Sequence, residues 1–340
     1  MTATLPAEVT AARELVDPAL RKAIDELAPS MRTVARYHLG WADEHGQDTP
    51  GGGGKSLRPA LTLLAAQATG GGPEPAVPAA IAVELVHNFS LLHDDVMDND
   101  TERRHRPTAW TVFGVPAAIL AGDALLTLAV ETARRGTEVT LSGEVVGCLN
   151  DAVQRLIVGQ SSDVEFERRS DVSVAECLTM AAGKTGALMR CAVEIGALAV
   201  GAPESVVRTF AEYGDHLGLA FQLVDDLLGI WGEPEVTGKP RLADLRARKK
   251  SVPVVAALNS GTESGARLAE LYFAPDVTDD EARLVLMADL VERAGGLKWT
   301  ELEADRHIEA SLRCLDELDL PTPVGEALRA ITLFVTRRDR

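Results

Sequence analysis

Apolar residues recur at helical spacing along most of the chain. Between residues 15 and 45 they fall three or four positions apart, which predicts one or two amphipathic helices interrupted near Pro18 and Pro29. Loops rich in glycine, proline and polar residues separate the apolar stretches. Longer apolar stretches predict further helices, at about residues 81–98, 116–133, 141–162, 173–200 and 203–231, with about four more after residue 252. The pattern therefore predicts an all-α fold.

The same pattern indicates one folded unit. Residues 1–14 show little apolar periodicity, and we expect a flexible N-terminal tail there. The remainder, residues 15–340, has no internal repeat of fixed period and no linker-like stretch. We therefore predict a single all-α domain, a helical bundle, over residues 15–340.

Composition supports helices and narrows the class of partner. Aromatic residues make up only 4% of the chain, so the residues that strands prefer are scarce. A net charge of -17 argues against a broad nucleic-acid or anionic-membrane surface. The cysteines form no CxxC pair, the N-terminus lacks the features of a signal peptide, and the most apolar segment, 191–200, is broken by Glu194. We therefore expect a cytoplasmic protein with reduced cysteines and no membrane span.

Candidate chemistry begins where the helix over residues 81–98 ends. Asp94 and Asp98 lie four residues apart, so their carboxylates project from one helix face and form a site for a hard divalent cation. Arg103 and Arg104 follow within ten residues, and guanidinium groups grip phosphate oxygens. A solvated acidic helix end is the alternative. The apolar run before Asp94 favours a buried helix mouth, and the combination predicts a metal-bridged diphosphate site.

A second aspartate pair, Asp225 and Asp226, ends another apolar helix, but Gly229 stands four residues after Asp225. The loop that follows carries six cations within twelve residues, which a flap over an anionic ligand explains well; they are Lys239, Arg241, Arg246, Arg248, Lys249 and Lys250. Lys184 lies in an apolar run between Gly183 and Gly186 and needs an anionic partner if it is buried. Snorkelling to the surface is the alternative for Lys184.

With these motifs in order, the chain resembles the trans-type isoprenyl diphosphate synthases, or polyprenyl synthetases. The resemblance rests on GKSLRP at 54–59, HNFSLLHDDVMDNDTERRHRPT at 87–108, GQSSD at 159–163, GKTG at 183–186, FQLVDD at 221–226, TGKP at 237–240 and RKKSVP at 248–253. It implies a helical bundle around a deep central cavity, usually a homodimer, with both aspartate clusters facing each other across the cavity mouth. About three Mg2+ ions would bridge the clusters to an allylic diphosphate.

The resemblance also assigns roles. Asp94 and Asp98 would hold two ions and Asp225 the third, with Asp95, Asp226 and Asp163 close by. The groups that grip the allylic diphosphate would be Arg103, Lys184, Lys239 and Lys249. The groups that bind the diphosphate of isopentenyl diphosphate would be Lys55, Arg58, His87 and Arg104. Thr185 and Gln222 would flank the developing cation, and the catalytic set would be Asp94, Asp98, Asp225, Lys184 and Arg103.

Three positions depart from the family pattern: Gly229, where a third aspartate is usual, and His105 and Arg248, where glycines are common. An aromatic at Phe89, five residues before Asp94, points through the resemblance to geranylgeranyl diphosphate as product, although a helical wheel places Ser90 nearer the axis of Asp94. Farnesyl diphosphate is the alternative product. A class I terpene cyclase and a non-catalytic partner subunit of the same fold are the alternative functions.

Overall fold

The computed structural model describes residues 7–49, 56–234, 240–274 and 280–336, with helices throughout this part of the chain. The first half contains α1 (Ala7–Asp25), α2 (Pro29–His38), α3 (Leu57–Gln67), α4 (Val77–Met97), α5 (Ala109–Phe113), α6 (Val115–Gly136) and α7 (Val139–Phe166). The second half contains α8 (Val174–Ala181), α9 (Ala187–Ala199), α10 (Glu204–Trp231), α11 (Ala243–Arg246), α12 (Val252–Leu258), α13 (Glu263–Tyr272), α14 (Glu281–Arg293), α15 (Gly296–Asp316) and α16 (Thr322–Thr336). The all-α prediction is confirmed.

The main core forms where α3, α4, α6, α9 and α10 pack on one another. Small residues let these helices approach closely. A Cβ atom on Gly196 would lie 2.2 Å from the carbonyl oxygen of Thr62, so only glycine fits where α9 crosses α3. A smaller core joins α11 to α14, and a third packs α8 and α12 against α10. The ends of α4 and α10 are therefore fixed by packing on both sides.

A short antiparallel hairpin, β1 (Glu102–Arg103) and β2 (Arg106–Pro107), follows α4. Its turn residues Arg104 and His105 both have positive φ, 53° and 60°. Two-residue turns of this kind favour glycine and asparagine, which explains why glycine is common at the position of His105. The hairpin turns back beside the end of α4 and brings its arginines next to the first aspartate cluster.

Several expected boundaries were wrong. Residues 7–14 belong to α1 rather than to a flexible tail, because Val9 and Ala12 are buried in the main core; residues 1–6 lie outside the described part. Pro18 lies inside α1 and does not end it. The helix expected over residues 173–200 is two helices, joined by a π-helical turn over Ala182–Gly186. Local sequence signals do not show that packing keeps α1 helical through Pro18. They also do not show that the helix widens to a π-helical turn at Ala182–Gly186.

Two helical segments are long and apolar enough to span a membrane by length and composition, Glu74–Met97 and Val115–Gly136. The sequence analysis singled out only residues 191–200 and so missed both. The first segment is 72% buried inside the fold, which is typical of a core helix, whereas the second is only 28% buried. Much of α6 therefore lies outside the core, including the exposed side chain of Leu120.

Candidate active site

The first aspartate cluster forms at the C-terminal end of α4. The backbone amide of Asp98 donates to the carbonyl oxygen of Asp94 at 2.8 Å, so the helical turn that places both carboxylates on one face continues through Asp98. Burial raises the pKa of Asp94 to about 6, with repulsion from Asp98 adding to the effect and Lys184 opposing it. The pKa of Asp98 is also raised by burial. The cluster thus holds excess negative charge that a cation would stabilise.

Asp95 has a different environment from its neighbours on α4. Its side chain is 1% exposed, and Oδ1 accepts a hydrogen bond from Nε of Arg103 at 2.7 Å. Its other oxygen, Oδ2, is buried and has no hydrogen-bond partner among the described residues. Asp95 therefore holds the guanidinium of Arg103 beside Asp94, and its Oδ2 can still accept a hydrogen bond.

The π-helical turn between α8 and α9 presents Lys184. A Cβ atom on Gly159 of α7 would lie 2.2 Å from the backbone nitrogen of Lys184, so this turn packs directly against the α7 backbone. Nζ of Lys184 lies 2.6 Å from Oδ2 of Asp163, and the lysine side chain is only 21% exposed. Asp163 is therefore the anionic partner that the sequence analysis expected for a buried Lys184. The alternative, in which Lys184 extends to the surface, is wrong. Single π turns recur at functional sites because they re-aim side chains.

The second aspartate pair lies near the end of α10, and its two members have different environments. Asp226 is buried, accepts from Nε2 of Gln222 at 2.7 Å and from the backbone amide of Val252 at 2.8 Å. Burial raises the pKa of Asp226 to about 6. Gln222 in turn accepts from the hydroxyl of Thr185. Asp225, by contrast, is exposed to solvent. Asp226 thus anchors the α12 end and Gln222, while Asp225 faces outward.

One lysine connects the two clusters. Nζ of Lys249 lies 3.8 Å from Oδ1 of Asp226, and the same charge opposes the rise in the pKa of Asp98 on α4. Although burial lowers the pKa of Lys249, nearby carboxylates raise it overall, including those of Asp225 and Asp163. Both acidic helix ends therefore lie within electrostatic reach of a single ammonium group, as expected for clusters that face one another.

A second group of cations surrounds His87 on α4. Burial lowers the pKa of His87 well below its usual value, and Arg58 and Arg104 lower it further, so the imidazole is neutral and lies close to both arginines. A cavity of about 330 Å³ is lined by Arg104 and also by Arg103, His38 and Asp95, whereas His87 and Arg58 are not among its lining residues. The structure therefore brings together Arg58, His87 and Arg104. Lys55 and Lys239, predicted with them and with Lys249, lie outside the described residues.

Sequence reasoning missed two groups in this region. Glu84 on α4 is buried, and its carboxylate accepts from Nδ2 of Asn88 at 3.2 Å. Burial raises the pKa of Glu84, and the charges of Arg58 and Arg104 oppose that rise. Glu84 therefore places a carboxyl group within electrostatic reach of both arginines. A lone acid within the apolar run of α4 was the signal that could have found it.

His38, at the end of α2, is the other missed group, and it predicts an acid-sensitive fold. Burial and the charges of Arg103 and Arg104 lower its pKa to about 3. Histidine in an unfolded chain titrates near 6.5. Between these values the unfolded chain binds the extra proton, so the stabilising contribution of His38 is complete above pH ~6.5 and is lost as the pH falls toward 3.

We expect His38→Gln to reduce the loss of stability between pH 7.5 and 5, measured as the free energy of unfolding in urea. Carboxylates such as Glu84, whose pKa is raised, act in the opposite direction, so the difference between variant and parent isolates His38. His45→Gln is the control, because His45 is 73% exposed. Equal pH slopes for His38→Gln and the parent protein would contradict this account.

The residues proposed for chain length pack against α6. Phe89 is 6% exposed and meets the ring of His93 edge-on, with 4.8 Å between ring centroids. Nε2 of His93 donates a hydrogen bond to the carbonyl oxygen of Ile119 on α6 at 3.0 Å. This nitrogen is therefore not available to bind a metal. The hydroxyl of Ser90 donates to the carbonyl oxygen of His87 at 2.8 Å. Phe89 thus packs on His93 of its own helix, and the hydrogen bond from His93 to Ile119 connects that pair to α6.

The donor set suits Mg2+. The groups that face the space between the clusters are carboxylates, and hard oxygen ligands are those Mg2+ prefers. Among the described residues no three histidine, cysteine or acidic side chains are grouped closely enough to hold an ion alone. Mg2+ commonly keeps waters and binds through one or two carboxylates plus substrate phosphates. Asp94, Asp98 and Asp225 fit that mode, in which the substrate completes each coordination shell.

Known proteins share this arrangement. Residues 40–287 match the family model for polyprenyl synthetase. A (2E,6E)-farnesyl diphosphate synthase of Mycobacterium tuberculosis is 46% identical over 331 residues, covering 96% of this chain and 91% of the relative. A geranylgeranyl diphosphate synthase of the same organism is 44% identical over 308 residues, covering 90% and 87%. The crystal structure of a polyprenyl synthetase from Streptomyces coelicolor superposes with a TM-score of 0.93 at 49% identity, covering 98% and 99%.

The fold and the site define a prenyltransferase of the all-α isoprenoid synthase type. The chain belongs to the polyprenyl synthetase family. Its activity is that of a short-chain prenyl diphosphate synthase, and members of this family use Mg2+. The resemblance found in the sequence is confirmed.

Proposed function

We propose that this protein condenses isopentenyl diphosphate with an allylic diphosphate and releases geranylgeranyl diphosphate, using about three Mg2+ ions per active site. Asp94 and Asp98 hold two of the ions, and Asp225 holds the third. The observation that carries the proposal is the position of Lys249, whose charge acts on Asp98 of α4 and on Asp226 of α10 together. A diphosphate bound between the two helix ends meets carboxylate-held ions and lysine side chains at once.

The allylic diphosphate is gripped by Arg103, Lys184 and Lys249, with Lys239 as a further expected contact. In the absence of substrate these cations have internal partners: Asp95 holds Arg103, and Asp163 holds Lys184. Such partners keep the side chains oriented before the substrate arrives, which reduces the entropy lost on binding. The buried carboxylates also disfavour an empty site, because cationic ligands relieve their repulsion.

Isopentenyl diphosphate binds at the group of cations around α4, through Arg58, His87 and Arg104, with Lys55 as a further expected contact. The neutral imidazole of His87 can donate a hydrogen bond to a phosphate oxygen. The carboxyl group of Glu84 lies within electrostatic reach of Arg58 and Arg104. This division places one diphosphate on each side of Asp95, which bonds to Arg103 and also lines the cavity.

The reaction follows from where charge develops. Bound Mg2+ stabilises the negative charge that builds on the departing pyrophosphate. Arg103, Lys184 and Lys249 stabilise the same charge, more strongly in the transition state than in the bound ester. The C–O bond of the allylic ester breaks, the isopentenyl double bond attacks the resulting carbocation, and a C–C bond forms. Pyrophosphate takes the proton lost from the product, while Thr185 and Gln222 flank the cation.

The resemblance implies an apolar cavity below Asp94, and its depth would set the length of the product. We assign its floor to Phe89, with Ser90 beside it, and the length of product to geranylgeranyl diphosphate. The support is the burial of Phe89 and its contact with His93, which braces the ring against α6. Relatives of similar identity carry farnesyl and geranylgeranyl names, so farnesyl diphosphate stays the alternative product.

The test is an incubation of purified protein with Mg2+, isopentenyl diphosphate and one allylic primer at a time. Dimethylallyl, geranyl and farnesyl diphosphate each probe a different starting length. We expect chain growth that ends mainly at geranylgeranyl diphosphate. A cyclic hydrocarbon without consumption of isopentenyl diphosphate would instead indicate a terpene cyclase, and no product with any primer would indicate a non-catalytic subunit. Growth that ends at farnesyl diphosphate would overturn only the product assignment.

We also propose that the protein is a cytoplasmic homodimer. All four cysteines are free, as in a reducing compartment. Among the described residues, the apolar face of α6 exposes Leu120, and α7 exposes Ile157 and Val158. A second copy related by a twofold axis would bury it, since one surface patch then meets itself.

We expect Leu120→Glu to weaken this dimer. Leu120 is 55% exposed in the single chain. Loss of its burial from both copies removes about 4 kcal/mol, or roughly a thousandfold in the dissociation constant. Light scattering after size exclusion, over a dilution series, measures the change. Leu302→Glu on α15 is the matched control, because Leu302 is 57% exposed and lies outside the proposed interface. A dimer equally stable in both variants would contradict the assignment of α6.

A further inference from the structure

Two cysteine thiols meet between α7 and α9. Cys148 of α7 donates a hydrogen bond to Cys191 of α9, with 3.8 Å between the two sulfur atoms. The side chain of Cys148 is partly exposed, whereas Cys191 is 1% exposed. Both cysteines are free, and neither takes part in the site described above. The fold thus places one accessible thiol directly against one buried thiol.

A cavity of about 270 Å³ opens onto this pair and is bordered by α7 and α9. The small side chains of Ala152 and Ala187 line it, together with four charged residues, which are Asp151, Arg155, Arg190 and Glu194. A disulfide requires about 2.0 Å between its sulfur atoms, so the thiols must approach each other further. The cavity leaves both side chains room to rotate and gives a small polar oxidant room to approach Cys148.

We propose that Cys148 and Cys191 form a redox modification site, in which a peroxide converts the thiol pair into a reversible disulfide that joins α7 to α9. The inference goes beyond the proposed function and does not depend on it. The other two cysteines have different surroundings. Cys177 donates to the backbone carbonyl oxygen of Lys250 at 3.1 Å, and Cys314 lies on α15. Their direct contact therefore distinguishes Cys148 and Cys191 from both.

The chemistry consumes one peroxide for each disulfide. Cys148, the more accessible thiol, loses its proton, and its thiolate attacks one peroxide oxygen; the O–O bond breaks, hydroxide leaves and a sulfenic acid forms on Cys148. The sulfur of Cys191 then attacks the sulfur of Cys148, the S–O bond breaks, and the departing oxygen takes the thiol proton of Cys191 and leaves as water. The proton released from Cys148 converts the hydroxide into a second water. Two thiols are thus oxidised to one disulfide, while one peroxide is reduced to two waters.

The surroundings of Cys148 determine how fast this reaction is. The pKa of the Cys148 thiol is raised, first by its hydrogen bond with Cys191 and then by burial, with Glu194 adding to the rise and Arg190 opposing it. The thiolate is the reactive form, so little of it is present at neutral pH. Oxidation should therefore be slow at neutral pH and should accelerate as the pH rises toward about 9.

The crosslink would strengthen a junction next to the candidate active site. α7 carries Asp163, and α9 begins at Ala187, directly after the π-helical turn that presents Lys184 to Asp163. A bond between residues 43 positions apart restricts the unfolded chain, which is one way in which disulfides stabilise folded proteins. We expect oxidation to raise the midpoint of thermal unfolding by about 5 °C.

The experiment exposes the purified, reduced protein to hydrogen peroxide and then blocks the remaining thiols with N-ethylmaleimide under denaturing conditions. Mass spectrometry of a proteolytic digest should find the peptides of Cys148 and Cys191 joined, with the mass of two hydrogen atoms lost, and dithiothreitol should reverse the change. Cys148→Ser should abolish both the crosslink and the rise in unfolding temperature. Cys314→Ser is the matched control and should retain both.

A second variant tests the order of the steps. In Cys191→Ser the sulfenic acid on Cys148 lacks its partner thiol, so we expect dimedone to label Cys148 in this variant and much less in the parent protein. Peroxide that leaves Cys148 and Cys191 both open to N-ethylmaleimide would overturn the inference. A crosslink between two copies of the chain, or an equal rise in unfolding temperature for peroxide-treated Cys148→Ser, would overturn it as well. Failure of the condensation assay would leave each of these results unchanged, so the two proposals are tested separately.

Discussion

Asp94→Ala should lower the rate of condensation by at least about a thousandfold, since one preorganised electrostatic group is commonly worth a hundred- to a thousandfold and the ion it holds adds several kcal/mol. The variant removes a carboxylate that lies in a field shared with Asp98, Lys184 and Arg103. The measurement is the steady-state rate at saturating Mg2+ and substrates.

Two comparisons make this result specific. Asp100→Ala changes an aspartate of the same acidic segment whose backbone carbonyl, rather than its carboxylate, receives Thr108 and Trp110. It should retain most activity. Asp94→Ala should also melt at a temperature no lower than the parent protein, because it removes a buried carboxylate whose charge is disfavoured. An Asp94→Ala rate within tenfold of the parent rate would rule out its role in holding an ion.

Phe89→Ala should lengthen the product by at least one isoprene unit. Removing the ring deletes the side chain that we assign to the cavity floor, and the hydrocarbon tail can then extend past α4 toward α6. Phe-to-Ala changes in a core cost about 3–5 kcal/mol. Phe89→Leu is therefore included as a milder variant, with a smaller shift expected. Chromatography of the dephosphorylated products measures the length.

Phe210→Ala is the control for Phe89. Phe210 lies fully buried in the same core on α10, so its loss destabilises the fold without opening the proposed floor. It should leave the product unchanged. Unaltered product length in both Phe89 variants would show that Phe89 does not form the floor of the cavity. The assignment of product length at this position, which came from the resemblance, would then be wrong.

The sequence predicted the parts of the site that local patterns encode. Tandem aspartates at the ends of apolar helices identified Asp94, Asp98 and Asp225, since helical periodicity alone places them at helix mouths. The apolar run around Lys184 indicated that this lysine would need an anionic partner, although not that the helix would widen to a π turn. All-α architecture followed from apolar spacing and scarce aromatics.

What the sequence did not reveal depends on contacts between distant segments. Glu84 is near Arg58 and Arg104 from two other elements, and the pKa of His38 is lowered first by burial and then by two arginines of a hairpin far along the chain. The closeness of the Asp244 carboxylate to Gly229 was likewise hidden, because the two residues belong to separate segments. Residues 7–14 lack clear apolar periodicity, yet Val9 and Ala12 are buried in a core that other helices help to form. Tertiary packing decides such cases.

The most direct test of the central claim, that both acidic helix ends hold one diphosphate through shared ions, is a crystal structure with Mn2+ and a non-ionisable thiolo analogue of an allylic diphosphate. Anomalous scattering locates the ions independently of the surrounding atoms. We predict ions bonded to Asp94 and Asp98 on one side and to Asp225 on the other, all sharing oxygens of the same diphosphate. Ions bound at α4 alone, with Asp225 distant from both metal and diphosphate, would contradict the account.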